Sequence, residues 1–181
     1  MQKHKAFGEL YQTHLSAIAK YAGRRASSAD AVDVAAETFT VAWRRFDEIP
    51  KGASTRPWLY GVARRLLANQ RRGNLRRSHL HERLHSEWTT DVQRPEDPPD
   101  LTPLRRAIES LSEPDREILL LAGVEELKPA EISVVLEIAP DVARNRLSRA
   151  RSRLRNALAD DQIRTQPTGH LTGQTDEGGQ P

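Results

Sequence analysis

The sequence predicts an all-α chain of two small helical domains joined by a flexible linker, the C-terminal one containing a helix-turn-helix. Three observations carry this. Apolar residues recur at three- and four-residue spacing along most of the chain, and strand signals are weak. The stretch "TTDVQRPEDPPDLTP" is polar and proline-rich, buries little apolar surface and divides the chain. Hydrophobic residues make up only 37% of 181, which fits two small cores better than one deep core. The expected boundaries are an N-terminal domain over 1–88, a linker over 89–103, a C-terminal domain over 104–161 and a disordered tail over 162–181.

The first helix is expected from Ala6 to Arg25, with Phe7, Leu10, Tyr11, Leu15, Ile18 and Tyr21 at helical spacing. "SSADAVDVAAETFTVAWRRF" gives the second. Ser28 is the expected N-cap and Asp30 suits the dipole of the first turn. Val32, Ala35, Phe39, Ala42 and Phe46 form the expected core stripe. "DEIPKGAST" carries Pro50 and Gly52 and reads as a loop, with Thr55 as a cap and Pro57 in the next first turn. The third helix, "RPWLYGVARRLLANQRR", packs Leu59, Val62, Ala63, Leu66 and Leu67. Gly73 interrupts it, and helix resumes toward Leu84. Beyond the linker come Leu104 to Leu111, "EPDREILLLAGVEEL", "PAEISVVLEIA" and an Arg-rich helix from Pro140 to Leu158.

Net charge is only +3, but it is unevenly placed. Arg56, Arg64, Arg65, Arg71, Arg72, Arg76, Arg77 and Arg83 form one basic block, and Arg144 to Arg155 holds another. Glu87, Asp91, Glu96, Asp97 and Asp100 lie between them. Two basic blocks around an acidic spacer point to two contacts with a polyanion. The sequence contains no cysteine, which excludes disulfides, thiolate zinc sites and cysteine nucleophiles. No apolar run approaches the roughly 20 residues of a membrane span. The basic start "MQKHKAFGEL" lacks the apolar stretch of a signal peptide.

The last two helices form the helix-turn-helix candidate. Pro129 starts the first, Ile132, Val135 and Leu136 supply its core side, and "EIAP" makes the turn. In the second, Leu147, Ala150, Leu154 and Leu158 share one side. Asn145, Arg146, Arg149, Ser152, Arg153 and Asn156 lie on the other, and Arg144, Arg151 and Arg155 fall on a flank. One face anchors the helix. The others meet an anion, with Arg and Asn reading base edges and flanking Arg holding phosphates. A merely solvated helix would carry acidic partners, and Asp141 is the sole acid in this run.

The second helix turns Asp30, Asp33, Glu37 and Thr40 largely away from its core stripe, with Val34 and Val41 nearby. An acidic, partly apolar face suits a basic protein partner. The third helix mixes Trp58, Tyr60 and Asn69 with Arg64, Arg65, Arg71 and Arg72, a composition suited to unstacked bases. One motif points elsewhere. "HERLH", with His81, Glu82 and His85, matches the zinc-protease pattern. Its flanks are polar and no third ligand is evident, so it reads as a solvated linker helix rather than a catalytic or metal site.

Several of these stretches resemble one known family. "ESLSEPDREILLLAGVEELKPAEISVVLEIAPDVARNRLSRARSRLRNAL" is similar to the promoter-reading C-terminal domain of bacterial sigma factors, closest to the two-domain extracytoplasmic-function group. "DAVDVAAETFTVAWRRF" resembles that family's polymerase-binding helix, and "RPWLYGVARRLLANQRR" its −10 helix. Ala36 stands where the family often has Gln. Glu137 stands where it often has Gly, so this turn either avoids positive φ or accepts strain.

The resemblance implies a sigma factor that binds core RNA polymerase, contacts promoter DNA at −10 and −35, and has no cofactor, metal or enzymatic activity. Asp30, Asp33, Glu37, Thr40 and Val41 would meet polymerase. Arg56, Trp58, Arg64, Arg65, Asn69, Arg71 and Arg72, with the loop from Asp47 to Thr55, would meet the −10 DNA. Arg144, Asn145, Arg146, Arg149, Arg151, Arg153 and Arg155 would meet the −35 DNA. The expected location is the cytoplasm. Many members of the family are held by an anti-sigma protein, which makes one a candidate partner. The alternatives are a helix-turn-helix regulator independent of polymerase and a metallohydrolase built on His81, Glu82 and His85.

Overall fold

The computed structural model describes residues 2–81 and 102–165, with side chains described over 2–73 and 103–161. The regular elements in them are all helical: α1 (Gln2–Gly23), α2 (Ser28–Arg44), α3 (Thr55–His81), α4 (Thr102–Ser110), α5 (Glu113–Gly123), α6 (Pro129–Leu136) and α7 (Pro140–Thr165). Short 3-10 turns at Phe46–Glu48 and Gly52–Ser54 lie within the expected loop before α3. Most of the expected linker, Glu82 and His85 of the "HERLH" motif, and the tail beyond Thr165 lie outside the described residues.

Local chemistry sets most boundaries, with small shifts from expectation. The N-cap of α2 is Ser27 rather than Ser28. Its hydroxyl accepts from the Asp30 N–H at 3.3 Å and donates to the Asp30 carboxylate at 2.8 Å. Thr55 does not cap α3; its hydroxyl donates to the Pro50 carbonyl at 2.6 Å and ties down the preceding loop. Gly73 does not interrupt α3, which continues to His81. Helix α7 passes its expected end at Leu158 and reaches Thr165, with no breaker before Pro167.

On α2 the expected Ala35, Phe39 and Ala42 are buried, but Val32 and Val34 exchange their expected sides. Val32 is 67% exposed, whereas Val34 is 4% exposed. The buried set is Ala31, Val34, Ala35, Thr38, Phe39 and Ala42, which follows the helical period without a gap. Small Ala31 and polar Thr38 hid that stripe. Thr38 is accommodated because its hydroxyl donates to the Val34 carbonyl at 2.7 Å.

Helices α1, α2 and α3 pack on one another, and α7 is packed by α4, α5 and α6. The two helical units do not keep separate cores, because α3 also packs on α6. Leu59, Tyr60, Ala63 and Leu67 of α3 belong to one apolar cluster with Leu127, Ile132, Val135, Leu147 and Ala150. Gly61 lies at this contact, where an added Cβ would sit in ordinary van der Waals contact, 3.7 Å from the Val135 carbonyl oxygen.

The turn between α6 and α7 accepts positive φ. Glu137 has φ 55° and ψ 44°, a left-handed conformation that costs a non-glycine residue about 1 kcal/mol. Hydrogen bonds from Glu137 N–H to Val134 O at 3.4 Å and from Ile138 N–H to Ser133 O at 3.1 Å hold it there. Within the C-terminal unit, Asp115 joins α5 to α7. It accepts from the Ser112 hydroxyl at 2.9 Å and pairs with Arg153. Burial works to raise its pKa, but the Ser112 and Arg153 bonds outweigh burial and hold the carboxyl below its ordinary value.

Two predictions follow from this packing. Val34→Ala should lower stability by about 1–3 kcal/mol, whereas Val32→Ala should stay within about 0.5 kcal/mol of the parent, both read by urea unfolding. Equal losses would return Val32 to its expected side. The depressed pKa of Asp115 gives stability that is present above its unfolded-state value of 3.8 and lost as pH falls through the lower folded value. Asp115→Asn should remove that component of acid unfolding, which a pH series of melting curves would register.

Candidate nucleic-acid and polymerase interfaces

The arginines of α3 arise from a sequence in which Leu59, Val62, Ala63 and Leu67 are buried, leaving the polar positions between them to face outward. The structure brings Arg64, Arg65, Asn69, Arg71 and Arg72 around one open groove of about 550 Å³, with Ala68 and with Glu113 from α5. Each is already engaged. Arg64 meets Glu117 in a two-pronged pair, Nε to Oε1 at 2.8 Å and Nη2 to Oε2 at 3.2 Å. The Glu117 hydrogen bond raises the Arg64 pKa, against an opposing contribution from burial. Arg71 meets Glu113 at 2.6 Å, Arg65 pairs with Glu137, and Arg72 donates to Asn69 at 2.6 Å.

Arg56 and Trp58 are not in that groove. Trp58 packs half-buried against the core, with the Arg45 guanidinium 5.8 Å from its ring. Arg56 donates to the Glu125 carbonyl at 2.6 Å and to the Tyr60 hydroxyl at 3.3 Å. Tyr60 is itself core, 1% exposed.

Glu125 is a residue that sequence reasoning missed. It lies in the turn between α5 and α6, is 2% exposed, and faces the N-terminal unit. Its Oε1 accepts from Arg24 at 2.6 Å and Arg25 at 3.4 Å, and its Oε2 accepts from the Tyr60 hydroxyl at 3.2 Å. Arg25 also stacks over the Tyr21 ring, 3.8 Å from its centroid. Burial pushes the Tyr21 hydroxyl up to about 12. "GVEEL" gives no local signal of this role, because its partners lie far away in sequence.

On α7 the division expected from the sequence is present. Ala143, Leu147 and Ala150 are buried. Arg144, Asn145, Arg149, Arg151, Arg153 and Arg155 are exposed, and Arg146 is half-buried. Arg144, Arg151 and Arg155 come together with Pro129, Leu147 and Ser148 around a groove of about 310 Å³. Arg149 reaches back to the Asn145 carbonyl at 3.4 Å. Arg153 differs from Arg149 in being paired with Asp115.

On α2, Asp33 and Glu37 are exposed and Thr40 and Val41 are half-buried. Val32 and Ala36 join this face. Asp30 is turned inward, where Gln70 of α3 donates to its carboxylate at 2.6 Å. Val34, expected near this face, is core. Among the described residues, no group of three or more His, Cys, Asp or Glu could hold a metal ion, and no helix is long and apolar enough to cross a membrane.

Comparison with known proteins accounts for both halves. Residues 10–77 match the family Sigma-70 region 2, and residues 101–154 match Sigma-70, region 4. The chain is 27% identical over 166 residues to RNA polymerase sigma factor NccH of Alcaligenes xylosoxydans xylosoxydans, covering 87% of this chain and 89% of the relative. It is 29% identical over 169 residues to the probable RNA polymerase sigma factor RfaY of Xanthomonas campestris pv. campestris, covering 85% of this chain but 40% of that longer relative. The fold is similar to that of sigma factor RpoE from Bartonella quintana, solved with the anti-sigma factor NepR: TM-score 0.64, 24% identity, 86% of this chain and 98% of that one. It is also similar to CnrH, solved with the cytosolic domain of CnrY: TM-score 0.57, 21% identity, 87% and 90% coverage. With region 2 and region 4 matched in order and a helical fold in common with such proteins, the chain belongs to the sigma-70 family of promoter-specific transcription initiation factors.

Proposed function

We propose that the groove on α3 meets the −10 promoter element, that the exposed face of α7 meets the −35 element, and that the exposed face of α2 docks on core RNA polymerase. The observation that carries this is the clustering of Arg64, Arg65, Asn69, Arg71 and Arg72 on one open face of the region 2 helix. Arg forks and an amide beside an open groove suit phosphates and base edges. Arg56 and Trp58 lie toward the other end of α3 and act there on the position of the helix.

On α7, Arg149 is the base reader and Arg144, Arg151 and Arg155 are the phosphate contacts. Arg153 orients the helix through Asp115. On α2, Asp33, Glu37, Thr40 and Val41 make the polymerase surface, extended by Val32 and Ala36, while Asp30 supports it through Gln70. The protein acts in the cytoplasm, where polymerase and promoter DNA are found, and has no catalytic activity of its own. An anti-sigma protein is its expected inhibitor, as NepR accompanies RpoE. The region 2 match gives the polymerase-independent alternative no support.

Asp33→Arg combined with Glu37→Arg should weaken core polymerase binding in a pull-down while helicity is retained; unchanged affinity would reject this surface. Arg149→Ala should cost about 1–3 kcal/mol on the preferred −35 sequence and relax discrimination at one or two positions. Arg155→Ala should weaken all sequences alike and reduce the salt slope by about one unit. Binding assays across promoter variants and salt separate the two. Uniform loss in both would leave base reading to another element.

A further inference from the structure

We propose that Asp141 is a specificity-determining residue of α7, its carboxylate accepting a hydrogen bond from an exocyclic amino group in the major groove, cytosine N4 or adenine N6. The proposal rests on the assignment of α7 to the −35 element and names a base chemistry for it.

Asp141 stands in the first turn of α7, directly after Pro140, and is exposed. In a helix-turn-helix the N-terminal residues of the second helix reach the base edges. Asp141, Asn145 and Arg149 follow at four-residue steps, so they form one outward line, away from buried Ala143, Leu147 and Ala150. The line carries three different chemistries: a carboxylate that only accepts, an amide that donates and accepts, and a guanidinium that only donates. Asp141 lies about 12 Å from Arg149 along the helix axis, a length that spans about three to four base pairs.

The charge of Asp141 is what singles it out. Between Pro140 and Leu158 it is the sole acid, on a helix whose outward positions are otherwise mostly arginine, asparagine and serine. Its carboxylate has no hydrogen-bond or ion-pair partner among the described residues. Arg144, the nearest arginine in sequence, belongs instead to the groove with Arg151 and Arg155. A carboxylate without a partner, brought up to a polyanion, weakens binding except where a hydrogen-bond donor faces it. In the major groove cytosine and adenine offer an amino donor, whereas guanine and thymine offer acceptors that repel it. Asp141 therefore acts by exclusion as much as by attraction. A carboxylate in a first turn also complements the helix dipole. That role is indifferent to base sequence, which separates the two by experiment.

The test uses the full chain and a fully randomised duplex DNA library, with bound sequences read for the parent, Asp141→Ala, Asp141→Asn and Arg149→Ala. The parent should select cytosine or adenine at one position within about four base pairs of the position that Arg149→Ala relaxes. Asp141→Ala should lose that preference alone. Asp141→Asn keeps an acceptor oxygen and should still select an amino-bearing base. On the selected duplex, exchanging that base for its analogue without the amino group should weaken the parent at least about fivefold and leave Asp141→Ala nearly unchanged. Response to a cytosine analogue identifies N4 as the donor, and response to an adenine analogue identifies N6. Tighter binding of Asp141→Ala to all sequences, with the preference intact, would overturn the proposal and leave Asp141 as a helix-end charge. Preference lost equally in Asp141→Asn and Asp141→Ala would overturn the acceptor role. If Arg149→Ala relaxes one position and Asp141→Ala none, the role of Asp141 fails while the −35 assignment stands. No preference in the parent, or preferences untouched by both variants, would end the −35 assignment and the proposal with it.

Discussion

Removing a carboxylate from water costs several kcal/mol unless positive charge and hydrogen-bond donors meet it where it lies. Glu125 meets that requirement with donors from two separate places, Arg24 and Arg25 after α1 and Tyr60 on α3. Its own carbonyl accepts from Arg56. The turn between α5 and α6 therefore has one seat on the N-terminal unit. Once it is seated, α6 lies against α3 at Gly61, and α5 lies beside the arginines further along α3. Desolvation offsets much of the attraction in such a buried site, so its contribution is to the geometry of docking more than to net stability.

Arginine has several roles in this chain, and its surroundings decide which. Arg25 is stacked and buried at the junction, and Arg153 braces α7 against α5. Arg64 is half-buried and shared with Glu117, while Arg144, Arg151 and Arg155 face an open groove. The same guanidinium fork serves carboxylate within the protein and phosphate outside it.

On α2 the exchange of Val32 and Val34 between the two sides changes the surface that faces outward. With Val34 inside and Val32 outside, the outward surface carries Val32, Asp33, Ala36 and Glu37. It is a mixed apolar and acidic strip, suited to a protein partner whose own surface is basic. Asp30 sits on the same helix but is drawn toward Gln70, which couples the start of α2 to the middle of α3. The surface proposed for polymerase and the surface proposed for DNA are thus tied through one carboxylate.

By itself the sequence determined the helical class, the division into two units, and the Arg-loaded face of α7 opposite Ala143, Leu147 and Ala150. These depend on local periodicity and composition, which a linear string carries. It also carried the family, because both motif regions occur in order. On α2 it placed Ala35, Phe39 and Ala42 but misplaced Val32 and Val34, because Ala31 and Thr38 complete the buried stripe without looking apolar enough to reveal it. It had no means of finding Glu125, nor of knowing that Arg56, Arg64, Arg65 and Arg71 are held by the other half of the chain. Those facts were decided by the tertiary structure alone, because an ion pair between residues dozens of positions apart exists only once packing has brought them together.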